Sequence, residues 1–120
     1  MTTLDRAPGL VDTFMDLAGN HGIEKESVGL YIQPVVQNHA CHVELMCPFE
    51  SGVPSDAELM RKLEKESVMR LAAGGAFFSR PYGSAGDVVF KQNPLNHEVL
   101  KKVKVIFDPN RVLNNGKWGL

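Results

Sequence analysis

The stretch Val28-Gly29-Leu30-Tyr31-Ile32-Gln33-Pro34-Val35-Val36, followed after Gln37-Asn38-His39 by Ala40-Cys41-His42-Val43-Glu44-Leu45-Met46-Cys47, decides the fold. The first run is rich in β-branched and aromatic residues and predicts a strand. Pro34 has no N–H to give to a ladder, so that strand lies at an edge or is interrupted at a bulge. In the second run Cys41, Val43, Leu45 and Cys47 alternate with His42, Glu44 and Met46, the period of a strand with one buried face. Asn38-His39 separates the two runs, and together they read as an antiparallel hairpin. Cys41 and Cys47 on one strand would stand about 20 Å apart, too far to bridge. Two free thiols fit a reducing compartment.

Upstream, residues 1–7 read as a loose lead-in. Pro8 suits a first helical turn. Leu10, Val11, Phe14, Met15 and Ala18 recur at spacings of three and four, tracing one apolar helical stripe, and Gly22 after His21 is a natural stop. Downstream, residues 48–54 are a turn region. Ser55 and Glu58 form a capping box that predicts a helix start. Met60, Leu63, Ser67 and Leu71 trace its buried side, Arg61, Lys62, Glu64, Lys65 and Glu66 face water, and Gly74-Gly75 ends it. Residues 76–79 predict a short apolar strand and residues 80–86 a Pro/Gly-rich loop. Asn93-Pro94 is an N-cap and N1 pair opening a final helix. That helix is expected to turn Leu95, Val99, Val103 and Ile106 inward and Lys101, Lys102 and Lys104 outward or toward a partner, before Asp108-Pro109-Asn110 stops it. The order α-β-β-α-β-α predicts an α+β fold, a small mainly antiparallel sheet with helices on one face. Three strands with an open edge make a thin sheet that a partner or a further segment would cover.

Composition bounds the function classes. With 120 residues, 43% hydrophobic and 22% charged, the chain suits one domain, 1–120, burying roughly 65% of its unfolded surface. Thirteen Lys+Arg against 14 Asp+Glu, scattered to a net charge of -1, give no footprint for nucleic acid or an anionic membrane. No window reaches the roughly 18 apolar residues of a membrane span and no signal-peptide core follows Met1. The expectation is a soluble, cytoplasmic protein. A nucleotide-binding domain plus a substrate domain would need more chain.

The histidines are the first candidates for chemistry. His39 and His42 point to opposite faces of a strand and cannot converge on one ion, while His39 and Cys41 alone are two ligands where structural zinc needs four. No metal site is expected. His42, Glu44 and Met46 share the sheet face away from the helices, a face that either stays wet or is covered by a ligand or second domain. Arg80 and Tyr82 stand at a strand end, where a guanidinium grips a carboxylate and a phenol donates a hydrogen bond or walls an aromatic substrate. Arg80-Pro81-Tyr82-Gly83 is equally a good turn. No Ser-His-Asp, Cys-His or P-loop arrangement can be assembled, since Gly74-Gly75 precedes a strand and not a helix.

The closing string Val103-Lys104-Val105-Ile106-Phe107-Asp108-Pro109-Asn110-Arg111-Val112-Leu113-Asn114-Asn115-Gly116-Lys117 resembles the final signature of FAD-linked oxidases of the vanillyl-alcohol oxidase and p-cresol methylhydroxylase superfamily: helix, Phe-Asp-Pro-Asn-Gly, two apolar residues, Asn-Pro-Gly-Lys. Gly29-Leu30-Tyr31-Ile32-Gln33-Pro34, Ala40-Cys41-His42-Val43-Glu44 and Gly75-Ala76-Phe77-Phe78-Ser79-Arg80-Pro81-Tyr82-Gly83 look like pieces of the substrate-side half of such enzymes, in the same order. The resemblance runs from about residue 28 to the end. It implies a partial ferredoxin-like cap domain, the C-terminal portion of an oxidase or dehydrogenase of a phenolic alcohol or hydroxy acid. Such a cap covers the flavin and shapes the pocket for a small-molecule substrate. In that family a separate N-terminal domain holds most of the FAD, so a flavin-binding domain or subunit is the implied partner and this chain alone is expected to be inactive. Asn114, Gly116 and Lys117 would inherit contact with the cofactor, a lysine suiting the pyrophosphate or reduced flavin; His42, Arg80 and Tyr82 would be pocket candidates. Arg111 stands where the family has glycine and Asn115 where it has proline. A stand-alone α+β interaction or small-ligand module that forms a homodimer through its sheet is the alternative.

Overall fold

The computed structural model describes residues 1–35, 39–117 and 120. They form α+β structure: β1 (Thr2–Thr3), α1 (Ala7–Asn20), a 3-10 turn (Lys25–Ser27), β2 (Gly29–Val35), β3 (Ala40–Met46), α2 (Pro54–Ala73), α3 (Ser84–Gln92) and α4 (Pro94–Phe107). Val36 and Asn38, at the expected hairpin end, lie outside the described residues. The elements divide into two compact units, Met1–Ser79 and Arg80–Leu120.

In the first unit the hairpin is antiparallel, with Ile32 opposite Val43 and Pro34 opposite Cys41, and the strand order is β1-β3-β2. Pro34 therefore sits on an edge strand, where a missing donor costs the ladder nothing on its open side. The third strand is not residues 76–79. Thr2–Thr3, inside the expected lead-in, pairs with Ala40 and Cys41 instead. Residues 76–79 make only one reciprocal contact: Phe77 N–H donates to Met1 C=O at 2.8 Å and the Met1 amino group to Phe77 C=O at 2.7 Å. Among the described residues no further backbone bond extends that pairing.

Helix α1 starts at the Pro8 signal and buries Ala7, Leu10, Phe14, Leu17 and Ala18. Phe14, Leu17 and Ala18 join Val28 and Leu63 in the core, against which Met15, Leu45 and Met60 pack. The predicted start of α2 is corrected. Pro54 is its first residue, Val53 the cap, and Ser55 bonds Asp56 at 3.4 Å without capping the helix. Proline at the first helical position moves the cap to Val53, two residues before the serine. At the other end Gly75 has φ +88°, where glycine meets no Cβ penalty, and a Cβ on Gly74 would come within 2.7 Å of Leu10 Cδ2. The helices cover β3 but not β2: Leu30 and Ile32, which share the inner face, are more than 40% exposed.

In the second unit Ser84, Ala85 and Gly86, expected as loop, open α3. Asn93 caps α4, its Oδ1 accepting from Asn96 N–H at 3.3 Å. The expected inward stripe is overturned: Leu95 is 80% exposed and Ile106 73%, and Val99 and Val103 are exposed too. Lys104, expected to face outward or toward a partner, instead turns to the closing segment of its own chain, its side chain only 15% exposed, and His97 turns inward to stack on Phe90. A 41-residue unit has too few elements to bury an apolar stripe, whereas Lys104 has bonding partners in the closing segment.

Candidate functional site

Phe107 ends α4 and Asp108 organises the closing segment. Its Oδ1 accepts from Val112 N–H at 2.8 Å and its Oδ2 from Leu113 N–H at 3.0 Å and Lys104 Nζ at 2.6 Å. Lys104 Nζ also donates to Leu113 C=O at 2.6 Å. The Lys104 ammonium, with the two amides, holds the Asp108 carboxyl below its ordinary value. An aspartate and a lysine one helical turn apart thus fold this segment back onto α4, so Asp-Pro-Asn acts as more than a helix stop. Arg111 and Asn114 adopt positive φ, +52° and +46°, and Gly116 +73°. Asparagine visits that region readily and glycine freely, arginine at a cost. Arg111 carries left-handed backbone at the position where the resembled family has glycine.

Asn114, Gly116 and Lys117 lie in an exposed turn, closed by Lys117 N–H donating to Asn114 C=O at 3.1 Å. In the same unit a pocket of ≈ 300 Å³ is lined by Lys101, Lys104, Val105, Asp108, Arg111 and Leu120. That is the low end of small-ligand sites. Its cations, Lys101, Lys104 and Arg111, stand around the Asp108 carboxylate to which Lys104 is bonded, and its volume fits no more of FAD than an anionic edge such as the pyrophosphate. Arg80 and Tyr82 occupy an exposed turn in the same unit, with Tyr82 68% exposed.

His42 belongs to the first unit. Its Nε2 lies 2.8 Å from Glu44 Oε1 on the sheet face away from α1, and Tyr31 and Gln33 of β2 stand opposite these two residues. The shared face expected for His42, Glu44 and Met46 is therefore present, and His42 is held by a carboxylate on its own strand. Cys41 is fully buried and Cys47 partly so, both as free thiols; burial pushes the Cys47 thiol up. Among the described residues no group of three or more His, Cys, Asp or Glu is placed to hold a metal ion, and no helix is long and apolar enough to cross a membrane.

Sequence reasoning did not anticipate one feature of the first unit, an open groove of ≈ 660 Å³ between the inner face of β3 and α2. Phe14, Val43, Leu45, Met60, Leu63 and Leu71 form its walls, Phe49 and Phe78 contribute at its ends, and Ser67 lies among them. Ser67 is only 4% exposed and its hydroxyl has no hydrogen-bond partner. A serine in the apolar stripe of α2 was the available signal.

Comparison of the chain with family models, with curated proteins and with solved structures finds no match.

Proposed function

We propose that this chain acts as the C-terminal cap portion of an FAD-dependent oxidoreductase, an oxidase or dehydrogenase of a phenolic alcohol or hydroxy acid. In this reading it covers the flavin and shapes the substrate pocket in concert with a flavin-binding domain or subunit. The observation that carries the reading is the segment 108–117. Its resemblance to the family signature is joined by two local features that support the reading: left-handed backbone at Arg111, where that signature has glycine, and a turn at Asn114 to Lys117 that follows directly on the Val112 and Leu113 amides held by Asp108. Such anchoring fixes a loop that has little core beneath it, as contact with a cofactor edge requires. Lys117 and Arg111 are the cations this loop offers an anionic part of FAD. The uncovered apolar residues of α4, Leu95, Val99 and Ile106, give a partner domain a surface to bury.

The test is flavin occupancy. Purified alone, the chain is expected to be colourless and to bind FAD weakly. Coexpressed with a flavin-binding domain encoded beside it, it should copurify as a yellow complex whose FAD affinity falls several-fold on Lys117→Ala. Stoichiometric flavin on the isolated chain, or a coexpressed flavin domain that ignores it, defeats the reading.

A further inference from the structure

The groove of the first unit holds a combination that packing alone does not explain. Its walls are apolar, yet the Ser67 hydroxyl lies among them, buried and without a partner. A buried hydroxyl left unpaired costs about 1–3 kcal/mol unless something arrives to bond it. Among the described residues the other unpaired buried hydroxyl, that of Thr2, is on β1 and does not line the groove. The volume of ≈ 660 Å³ falls within the roughly 300–1,000 Å³ of small-molecule sites, which are mostly apolar with a few placed polar groups. Arg61 and Glu64 at the margin carry opposite charges, and an apolar floor penalises any charge that enters. Burial pushes the pKa of the Cys47 thiol in the wall up, further disfavouring its charged form. The site therefore selects against ions. Phenylalanines 14, 49 and 78 supply flat apolar surface around it, which favours ring systems.

We propose that this groove binds an uncharged, largely apolar ring molecule carrying a single hydrogen-bond-accepting oxygen, with the Ser67 side chain turning its buried hydroxyl into the groove to donate to that oxygen. This goes beyond the flavin reading and does not depend on it, because every residue involved lies in the first unit.

The test uses the full chain and two probes of nearly equal shape, acetonaphthone, which carries a ketone oxygen, and ethylnaphthalene, which does not. Affinities are measured by titration, with the binding residues located from backbone amide shifts in NMR spectra. The ketone is expected to bind about fivefold more tightly than the hydrocarbon, the size of one net hydrogen bond. Shifts should concentrate at Val43, Leu45 and Ser67. Ser67→Ala, which removes an unpaired hydroxyl and so leaves the fold intact, should abolish the ketone preference while hydrocarbon binding persists. Ala57→Phe, at the partly exposed wall, should block both probes. Equal affinity for the two probes in the unaltered chain overturns the proposal, the hydroxyl then turning back to a carbonyl of its own helix. Shifts away from the groove overturn it, as does the absence of saturable binding. A concentration-dependent dimer that Ala57→Phe dissolves, with no binding of the ketone, overturns it in favour of a second copy of the chain as occupant.

Discussion

Asp108 shows how one side chain can define a loop. Its carboxylate takes two backbone amides and the Lys104 ammonium, bonds that favour the charged form and lower its pKa. Because the folded value is depressed below the ordinary 3.8, this stabilisation is complete above that pH and is lost as the pH falls through the folded value beneath it. Amide shifts of Val112 and Leu113 should report the loss only below pH 3.8. Asp108→Asn should disturb the same two amides at neutral pH, since the charge is gone although one acceptor oxygen remains. Arg111 is the converse case, a side chain at odds with its backbone. Left-handed conformation costs a non-glycine residue about 1–2 kcal/mol, and the extra freedom of glycine in the unfolded chain returns part of that. Arg111→Gly should therefore stabilise the closing segment by about 0.5–1 kcal/mol, read as slower hydrogen exchange at Val112 and Leu113. Reduced protection would mean that the guanidinium contributes contacts that outweigh the strain.

Among the elements, those with chemically obligatory signals were legible. Pro8, the Asn93-Pro94 pair and the Cys41-Val43-Leu45 alternation mark α1, α4 and β3 because each depends on a missing donor, a cap or a two-residue period. What escaped depends on partners distant in sequence. Thr2–Thr3 became the third strand by adding to the free edge of β3, which a two-residue segment cannot advertise, and Ser84-Ala85-Gly86 read as loop until the rest of α3 is seen to continue it. The start of α2 was missed by two residues, Val53 being the cap where Ser55 was expected. That leaves the helix without a side-chain cap and makes a specific prediction. Val53 already has extended backbone at the cap position, so Val53→Thr, nearly identical in shape, should stabilise the first unit by about 1 kcal/mol. The midpoint of urea unfolding, followed by helical circular dichroism, checks it; no gain would show that the threonine hydroxyl fails to reach the first-turn amides. The candidate site divides along the same line. In the closing segment the helix stop at Asp108 was legible, while the bonds of Asp108 to Lys104, Val112 and Leu113 and the groove around Ser67 were not, because the first appear only once the segment folds back on α4 and the second only where the inner face of β3 meets α2.

The two units differ in what they bury, and that difference should govern how the whole chain behaves. The first has a core of Phe14, Leu17, Ala18, Val28 and Leu63. In the second, Ala85, Gly86 and Asp108 are the buried residues among those described, and α4 buries none. Apolar burial at roughly 25 cal/mol per Å² is the main force opposing chain entropy, so 41 residues without a buried large side chain among those described are held chiefly by helix hydrogen bonds, the Asp108 cluster and the stacking of Phe90 on His97. Units of different stability open independently, and hydrogen exchange reads each one's opening free energy. In the full chain, amides of α4 should exchange at least about 100-fold faster, relative to their intrinsic rates, than those of α2 around Leu63. Under the cap reading, a flavin-binding partner that covers Leu95, Val99 and Ile106 should slow exchange in α4 and leave α2 nearly unchanged, because a ligand stabilises only the states it binds. Equal protection of the two helices in the isolated chain would mean that α4 already has its cover, and the exposed stripe would then no longer support a partner domain.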